Sequence, residues 1–181
     1  MIERTVVVLK PDAVERGLSG EILSRFERTG LRIVGSKTAR VTKEFVSIHY
    51  PDKVDFLRSM GTKTLEEYAA KGLDPVKEVG TDDPVEIGRR IRQWNMDFLS
   101  RSPVIAFVLE GNSAVANVRK LVGSTIPSLA APGTIRGAYS VDSADLGNQE
   151  KRAVQNLIHA SGTVEEAEEE IKLWFKPSEL I

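Results

Sequence analysis

A chain of 181 residues can bury a sizeable core, and its apolar and charged fractions of 41% and 28% are ordinary for a soluble globular fold. A net charge of −1 argues against a bulk nucleic-acid binder, though a local basic pocket for a small anion is compatible with it. The absence of cysteine excludes a disulfide framework, a thiolate nucleophile and a cysteine-based metal site.

The N-terminal MIERT is charged and runs straight into an apolar strand, so no signal peptide is expected. "VVVL" (6–9) is a continuous β-branched run, as in a strand buried on both faces, and Pro11 ends it by forcing Lys10 into an extended conformation. "SGEILSRFERTG" carries Ile22, Leu23 and Phe26 at helical spacing, with Gly30 as the stop. "LRIVGSKTARV" reads as a second strand, and "TKEFVSIHY" as a short helix capped by Thr42.

Residues 51–101 read as a helical pair. Thr64 and Glu67 have capping-box spacing before a stop near Gly72. Asp83 caps a second helix, with Pro84 at its first position and Glu86 three residues after the cap. "PVIAFVLEG" (103–111) is a third strand, and its run from 104 to 109 is too short to span a bilayer. "NSAVANVRKLVG" is a helix from an Asn112 cap to Gly123. A long loop, "STIPSLAAPGTIRG", is of a length more often functional than idle. "GAYSVD" is a plausible fourth strand, and Thr163 with Glu166 forms a capping box before a last helix, with Pro177 beyond it. No repeat marks a second domain, so 1–181 is expected to be one domain. The β-α-β-(helices)-β-α-β order matches an α+β ferredoxin-like sandwich: a four-stranded antiparallel sheet with helices packed on it.

There is neither GxxxxGK[ST] nor GxGxxG, so the candidates are single polar residues at element ends. Taken alone, each has an ordinary structural reading. Lys10 is a stem covering a sheet end. Arg119 is a cation in a last helical turn. Arg136 pins a loop, Thr125 is a turn hydroxyl, and Asn156 caps a turn. His159, at a loop-to-helix junction, suits a base, nucleophile or ligand. His49 reads as a surface or helix-end histidine. No His-x-x-x-His pair is present, so no protein-held metal is expected. Trp174 and Phe175 read as packing, and the glutamates at 165–169 as a solvated face.

In order along the chain, however, stand "RTVVVLKPDAVERGLSGEILSRFERTGLRIVGSK", "VRKLVGSTIPSLAAPGTIRG" and "NLIHASGTVEEAEEEIKLWF". Together they resemble the nucleoside diphosphate kinase family over residues 1–50 and 102–175, apart from an expansion within 138–153. The resemblance implies ping-pong transfer of the γ-phosphate of ATP, or another nucleoside triphosphate, to a nucleoside diphosphate. His159 matches the phosphorylated histidine. Lys10 matches the lysine on phosphate and sugar, Arg119 and Thr125 the β-phosphate contacts, and Arg136 the γ-phosphate arginine. Asn156 matches the ribose contact, Tyr50 a tyrosine near the phosphohistidine, Glu170 the ring-orienting glutamate and Ser161 a serine linked to it. Mg²⁺ is expected on the nucleotide phosphates rather than in a carboxylate cage. A cytoplasmic homo-oligomer, hexamer or tetramer, is implied, without membrane or stable nucleic-acid partners.

Three departures stand out. Ala160-Ser161-Gly162-Thr163 replaces the family's usual Gly-Ser-Asp-Ser. The segment of about 51–101 is lengthened, which leaves Phe56 and Ile91 as alternative base-stacking residues. A second insertion occupies 138–153. These insertions motivate a rival reading, a non-catalytic nucleotide-binding regulator or scaffold of the same fold. A third, a ferredoxin-like nucleic-acid-binding module, conflicts with the near-zero charge and the lack of a basic aromatic sheet surface.

Overall fold

The structure, a computed structural model, describes residues 1–181. In chain order the elements are β1 (Ile2–Leu9), α1 (Pro11–Glu15), α2 (Ser19–Glu27), β2 (Arg32–Ala39), α3 (Lys43–His49), α4 (Val54–Lys71), α5 (Pro75–Val79) and α6 (Pro84–Ser100). They continue with β3 (Val104–Asn112), α7 (Ala114–Val122), α8 (Ile135–Tyr139), α9 (Ala144–Gln149), β4 (Ile158–Ala160) and α10 (Val164–Trp174). The sheet order is β2-β3-β1-β4, and every pair is antiparallel. This is the ferredoxin-like α+β arrangement expected from the element order.

The valine run of β1 explains the two-layered core. Val6, Val7 and Val8 are all 0% exposed. Side chains alternate along a strand, so Val7 and Leu9 join one core with Ile22 and Phe26 of α2 and Val118 of α7. Val6 and Val8 join the other, with Val46 of α3, Leu99 of α6 and Trp174 of α10. Each such aliphatic side chain contributes roughly 1.5–3 kcal/mol by leaving water. A polar residue at 6, 7 or 8 would break one layer or the other.

Several local expectations hold. Thr42 accepts from the Phe45 amide, Asp83 from the Val85 amide, and Gly72 ends α4 with φ 67°. Others do not. Thr64 and Glu67 lie inside α4, which starts ten residues earlier at Val54, so they form no capping box. Asn112 ends β3 and accepts from the N-terminal ammonium, while Ser113, at φ 45°, precedes α7. Only half of the Thr163 box forms: Thr163 Oγ1 accepts from the Glu166 amide, but Glu166 Oε2 accepts from Gly162 N–H instead of closing on Thr163. "GAYSVD" is not a strand, since α8 occupies 135–139. The fourth strand is Ile158–Ala160, three residues that contain His159. That histidine is therefore on the sheet, two residues before the loop leading to α10.

The expected helical pair is α4 and α6, with α5 between them. A Cβ added to Gly61 would lie 1.9 Å from the Pro84 carbonyl oxygen, and one on Gly88 would lie 1.9 Å from that of Leu57. The two helices therefore meet backbone to backbone. Glu67 of α4, 0% exposed, ties this pair to the 138–153 region: it accepts from Ser128 Oγ at 2.9 Å and from the Ala144 amide at the start of α9 at 2.7 Å. Lys71 bridges Glu67 and Asp145 at 2.8 and 2.6 Å. No helix is long and apolar enough to cross a membrane.

Candidate active site

The site forms where β4 meets the end of β1. Lys10 follows β1, and its backbone N–H donates to Leu157 O at 2.8 Å. Pro11 opens α1, and Asp12 Oδ2 accepts from the Leu157 amide at 2.9 Å. Leu157 is buried with φ 68°, a left-handed conformation costly for a branched side chain, roughly 1–2 kcal/mol. Asp12 and Lys10 hold that turn from both sides. The turn in turn sets Asn156 and His159, residues 144 or more positions distant in sequence from the Lys-Pro-Asp run. Asp12 was not singled out from the sequence, because an aspartate in a first helical turn is favourable there for local reasons alone.

His159 pairs with Val8 across the β1–β4 ladder. Its Nε2 stands 2.7 Å from Glu170 Oε1, and Glu170 Oε2 accepts from Ser161 Oγ at 2.6 Å. Burial works to raise the Glu170 carboxyl, but the charge and hydrogen bond of His159, His49 and the Ser161 hydroxyl outweigh it and hold the group down at about 2. Glu170 is thus an anion at neutral pH and can only accept, so His159 Nε2 carries the proton and donates it. Nδ1 is left without a protein partner.

His49 is not a surface residue. It ends α3 but is buried, with its ring centroid 4.4 Å from that of His159 in an edge-on arrangement. Trp174 Nε1–H, which can only donate, reaches His49 Nδ1 at 3.3 Å. Burial first, then the charge of His159, pushes His49 down to about 3, so it is neutral at pH 7. Its 3.4 Å approach to Glu170 is accordingly no ion pair. His49, His159 and Glu170 do bring three ligating atoms within 4.8 Å of one another, a grouping invisible in the sequence, where 110 positions separate the histidines. Glu170 is already engaged by His159 and Ser161, and His49 Nδ1 by Trp174, while His49 Nε2 is buried without a hydrogen-bond partner.

In front of His159 lies a cavity of about 390 Å³. Lys10, Tyr50, Arg119, Thr125, Arg136 and Asn156 all line it with His159, whereas Glu170 and Ser161 stand behind the imidazole. Lys10 Nζ donates to Asn156 Oδ1 at 2.8 Å, and Asn156 Nδ2 donates to Thr125 O at 2.8 Å. Arg136 donates to the carbonyls of Asn156, Gly123, Ser124 and Ile158 at 2.5–3.1 Å. Burial, then Arg136, lowers Lys10 to about 8, against the opposing pull of Asp12. Burial and then the nearby Arg119 pull Arg136 down to about 9, against Tyr50 and Asp12, so it remains a cation at neutral pH. Burial and then the Glu170 charge raise the Tyr50 phenol, so it stays protonated.

The opposite wall comes from the helical pair. Phe56 and Ile91, the two alternatives for a stacking residue, both line the cavity, as do Met60 and Trp94, which the sequence alone did not mark. Glu166 is the one carboxylate on the lining, and it is occupied by Gly162 N–H. A cavity lined by clustered cations, several apolar and aromatic side chains and a single carboxylate fits an anionic, partly aromatic ligand. It does not fit a protein-caged divalent metal.

Clustered cations beside an imidazole on a ferredoxin-like sandwich define the class: an enzyme of phosphoryl transfer. The family follows from comparison. A family model described as nucleoside diphosphate kinase matches residues 3–60 and 88–180, passing over 61–87 within the α4–α6 segment. The nucleoside diphosphate kinase of Pyrobaculum aerophilum is 50% identical over 180 residues, covering 99% of this chain and 98% of the relative. That of Pyrococcus furiosus is 41% identical over 99% of this chain and 86% of the relative. A crystal structure of an NDP kinase from Pyrobaculum aerophilum superposes with a TM-score of 0.91, at 48% identity and full coverage of both chains. A transition-state mimic of the Borrelia burgdorferi enzyme with bound vanadate and ADP superposes at 0.78, at 33% identity, over 99% of this chain and 90% of that one. The chain belongs to the nucleoside diphosphate kinase family.

Proposed function

We propose that His159 carries the phosphoryl group between a nucleoside triphosphate and a nucleoside diphosphate. The observation that carries this reading is the hydrogen bond from His159 Nε2 to Glu170, which leaves the Nδ1 lone pair as the free nucleophile beside the cationic cavity. In the first half-reaction Nδ1 attacks the γ-phosphorus, the bond from that phosphorus to the β–γ bridging oxygen breaks, and the diphosphate leaves. In the second, a terminal oxygen of the incoming diphosphate attacks the same phosphorus and the N–P bond breaks. The Nε2 proton stays in the bond to Glu170 throughout, so the ring's positive charge is met by a carboxylate. Splitting one transfer in two lets a single site serve both nucleotides.

Charge spreads over the phosphoryl oxygens in the transition state, and positioned cations supply most of the stabilisation. Arg136 and Lys10 are the preorganised pair, Arg119 and Thr125 take the remaining phosphates, and Asn156 takes the ribose. Tyr50, kept protonated, donates near the phosphohistidine. Ser161 holds the second oxygen of Glu170. Mg²⁺ enters with the nucleotide, on its phosphates, as part of the substrate. Phe56 and Ile91 sit on the base side, and both are placed to contact the base. The reading extends to one domain over 1–181, a cytoplasmic location and a homo-oligomer, hexamer or tetramer, which light scattering would count.

Incubation with γ-labelled ATP and Mg²⁺ should give an acid-labile, base-stable label on the protein that GDP removes. Absence of label on folded protein, or an unchanged label in His159→Ala, rules the reading out.

A further inference from the structure

The α4 helix brings a lysine to the cavity from a stretch that the family model passes over. Lys63 lies within 61–87, and its side chain lines the same cavity as Arg119, Arg136 and His159. The helical repeat explains the placement. Phe56, Met60 and Lys63 follow at spacings of four and three, so one face of α4 presents two apolar side chains and then, a turn further on, a cation. Lys63 is half-buried. No hydrogen bond offsets that burial, and its neighbours are chiefly positive: burial first, then Arg119 and Arg136, lower its pKa, against weaker opposition from Glu166 and Glu66. Glu166 is already engaged by Gly162 N–H. By contrast Lys71, two turns on along α4, is paired with Glu67 and Asp145. A half-buried ammonium placed beside two guanidiniums, with no acceptor of its own, is unfavourable until an anion enters.

We propose that Lys63 is a phosphate-binding residue of this site, contributed by the lengthened segment and contacting the polyphosphate of the bound nucleotide alongside Arg119. The inference rests on the nucleotide reading given above and adds a contact to it. The turn before Lys63 brings Phe56 and Met60 to the same cavity, so with Phe56 as the base contact one helix would serve both the base and the phosphates. This gives the lengthened segment a binding role and not only a structural one.

The test compares the full-length protein with Lys63→Met and Lys63→Arg. Binding of ADP is measured by calorimetry, and binding of adenosine by ligand NMR at millimolar concentration. Loss of one charge-assisted contact to phosphate should weaken ADP binding by about ten-fold or more in Lys63→Met. Adenosine binding should be unchanged, Lys63→Arg should recover most of the ADP affinity, and Lys63→Met should melt no lower than the parent. Unchanged ADP affinity in Lys63→Met overturns the proposal. So does a parallel loss of ADP and adenosine, or a lowered melting temperature with both lost, since either marks a structural lysine. Failure of the nucleotide reading itself shows separately, as parent protein that neither binds ADP nor takes label at His159, and it removes this proposal as well.

Discussion

His159 donates from Nε2 to Oε1 of Glu170 at 2.7 Å, and that bond decides which imidazole nitrogen is free. Glu170 is held as an anion and can only accept, so the tautomer is fixed with the proton on Nε2. A ring held in the other tautomer would present a proton to the substrate in place of a lone pair.

The phosphoprotein formed from ATP should therefore carry its phosphorus on Nδ1. Phosphorus–nitrogen correlation by NMR on protein labelled in histidine reads this directly. Phosphorus on Nε2 would mean that the Glu170 bond does not orient the reacting ring.

Glu170→Gln should slow phosphorylation of His159 by about ten- to a hundred-fold, as when a partner that orients a functional histidine is removed. Ser161→Ala leaves one carboxylate oxygen unbonded in a fully buried position and should cost roughly 1.5–3 kcal/mol of stability. The acid limb of stability follows from Glu170 as well. Its folded pKa, about 2, lies below the ordinary 4.5, so its contribution is complete above pH 4.5 and disappears as the pH falls toward 2. Thermal melts of Glu170→Gln should show a shallower loss over that window than the parent protein.

Lys10 sets an alkaline limit for nucleotide affinity. Its pKa of about 8 in the free protein means that the cation must be restored when phosphate binds at higher pH. ADP affinity should fall by about ten-fold between pH 7 and pH 9, with proton uptake visible as a buffer-dependent heat. Stability of the ligand-free protein moves the other way. A lysine depressed from 10.5 to about 8 disfavours the folded state below pH 8, and this penalty is relieved as the pH rises toward 10.5. In Lys10→Met the proton uptake centred near pH 8 should vanish, and its persistence would assign the titration to another group.

The α4–α6 contact should be intolerant of a single methyl. Gly61→Ala or Gly88→Ala places a Cβ against a carbonyl of the facing helix, where no flexible side chain can yield. Each should destabilise by about 1–3 kcal/mol or more and weaken binding of adenosine, because Phe56 and Met60 sit on the displaced wall. Unchanged melting temperatures in both would mean that the helices separate at little cost.

Much of the cavity lining was legible because its polar residues come in short local runs whose order along the chain resembles the nucleoside diphosphate kinase family. Lys10 before Pro11, Arg119 ahead of Gly123, and the Thr-Ile-Arg run around Arg136 each sit at an element end, where alone each has a structural reading; only the resemblance of the three runs together singles them out. The last strand was not legible. Ile158–Ala160 is too short to show a period of two, and it exists only because β1 offers a free edge and Asp12 holds the Leu157 turn against it. His49 was misjudged for a related reason. Nothing near it in sequence announces that Trp174, Glu170 and His159 will close around its ring.

The sequence by itself determined three of the four strands, the two-faced core strand and most of the helices, because periodicity, caps and β-branched runs act over a few residues. Tertiary structure alone decided which imidazole nitrogen is free, that the two histidines touch, and that Lys63 of the long α4 helix lines the same cavity as Arg119 and Arg136. Those outcomes depend on antiparallel pairing of β1 with β4 and on the glycine-mediated approach of α4 to α6, which bring together side chains that no local pattern connects.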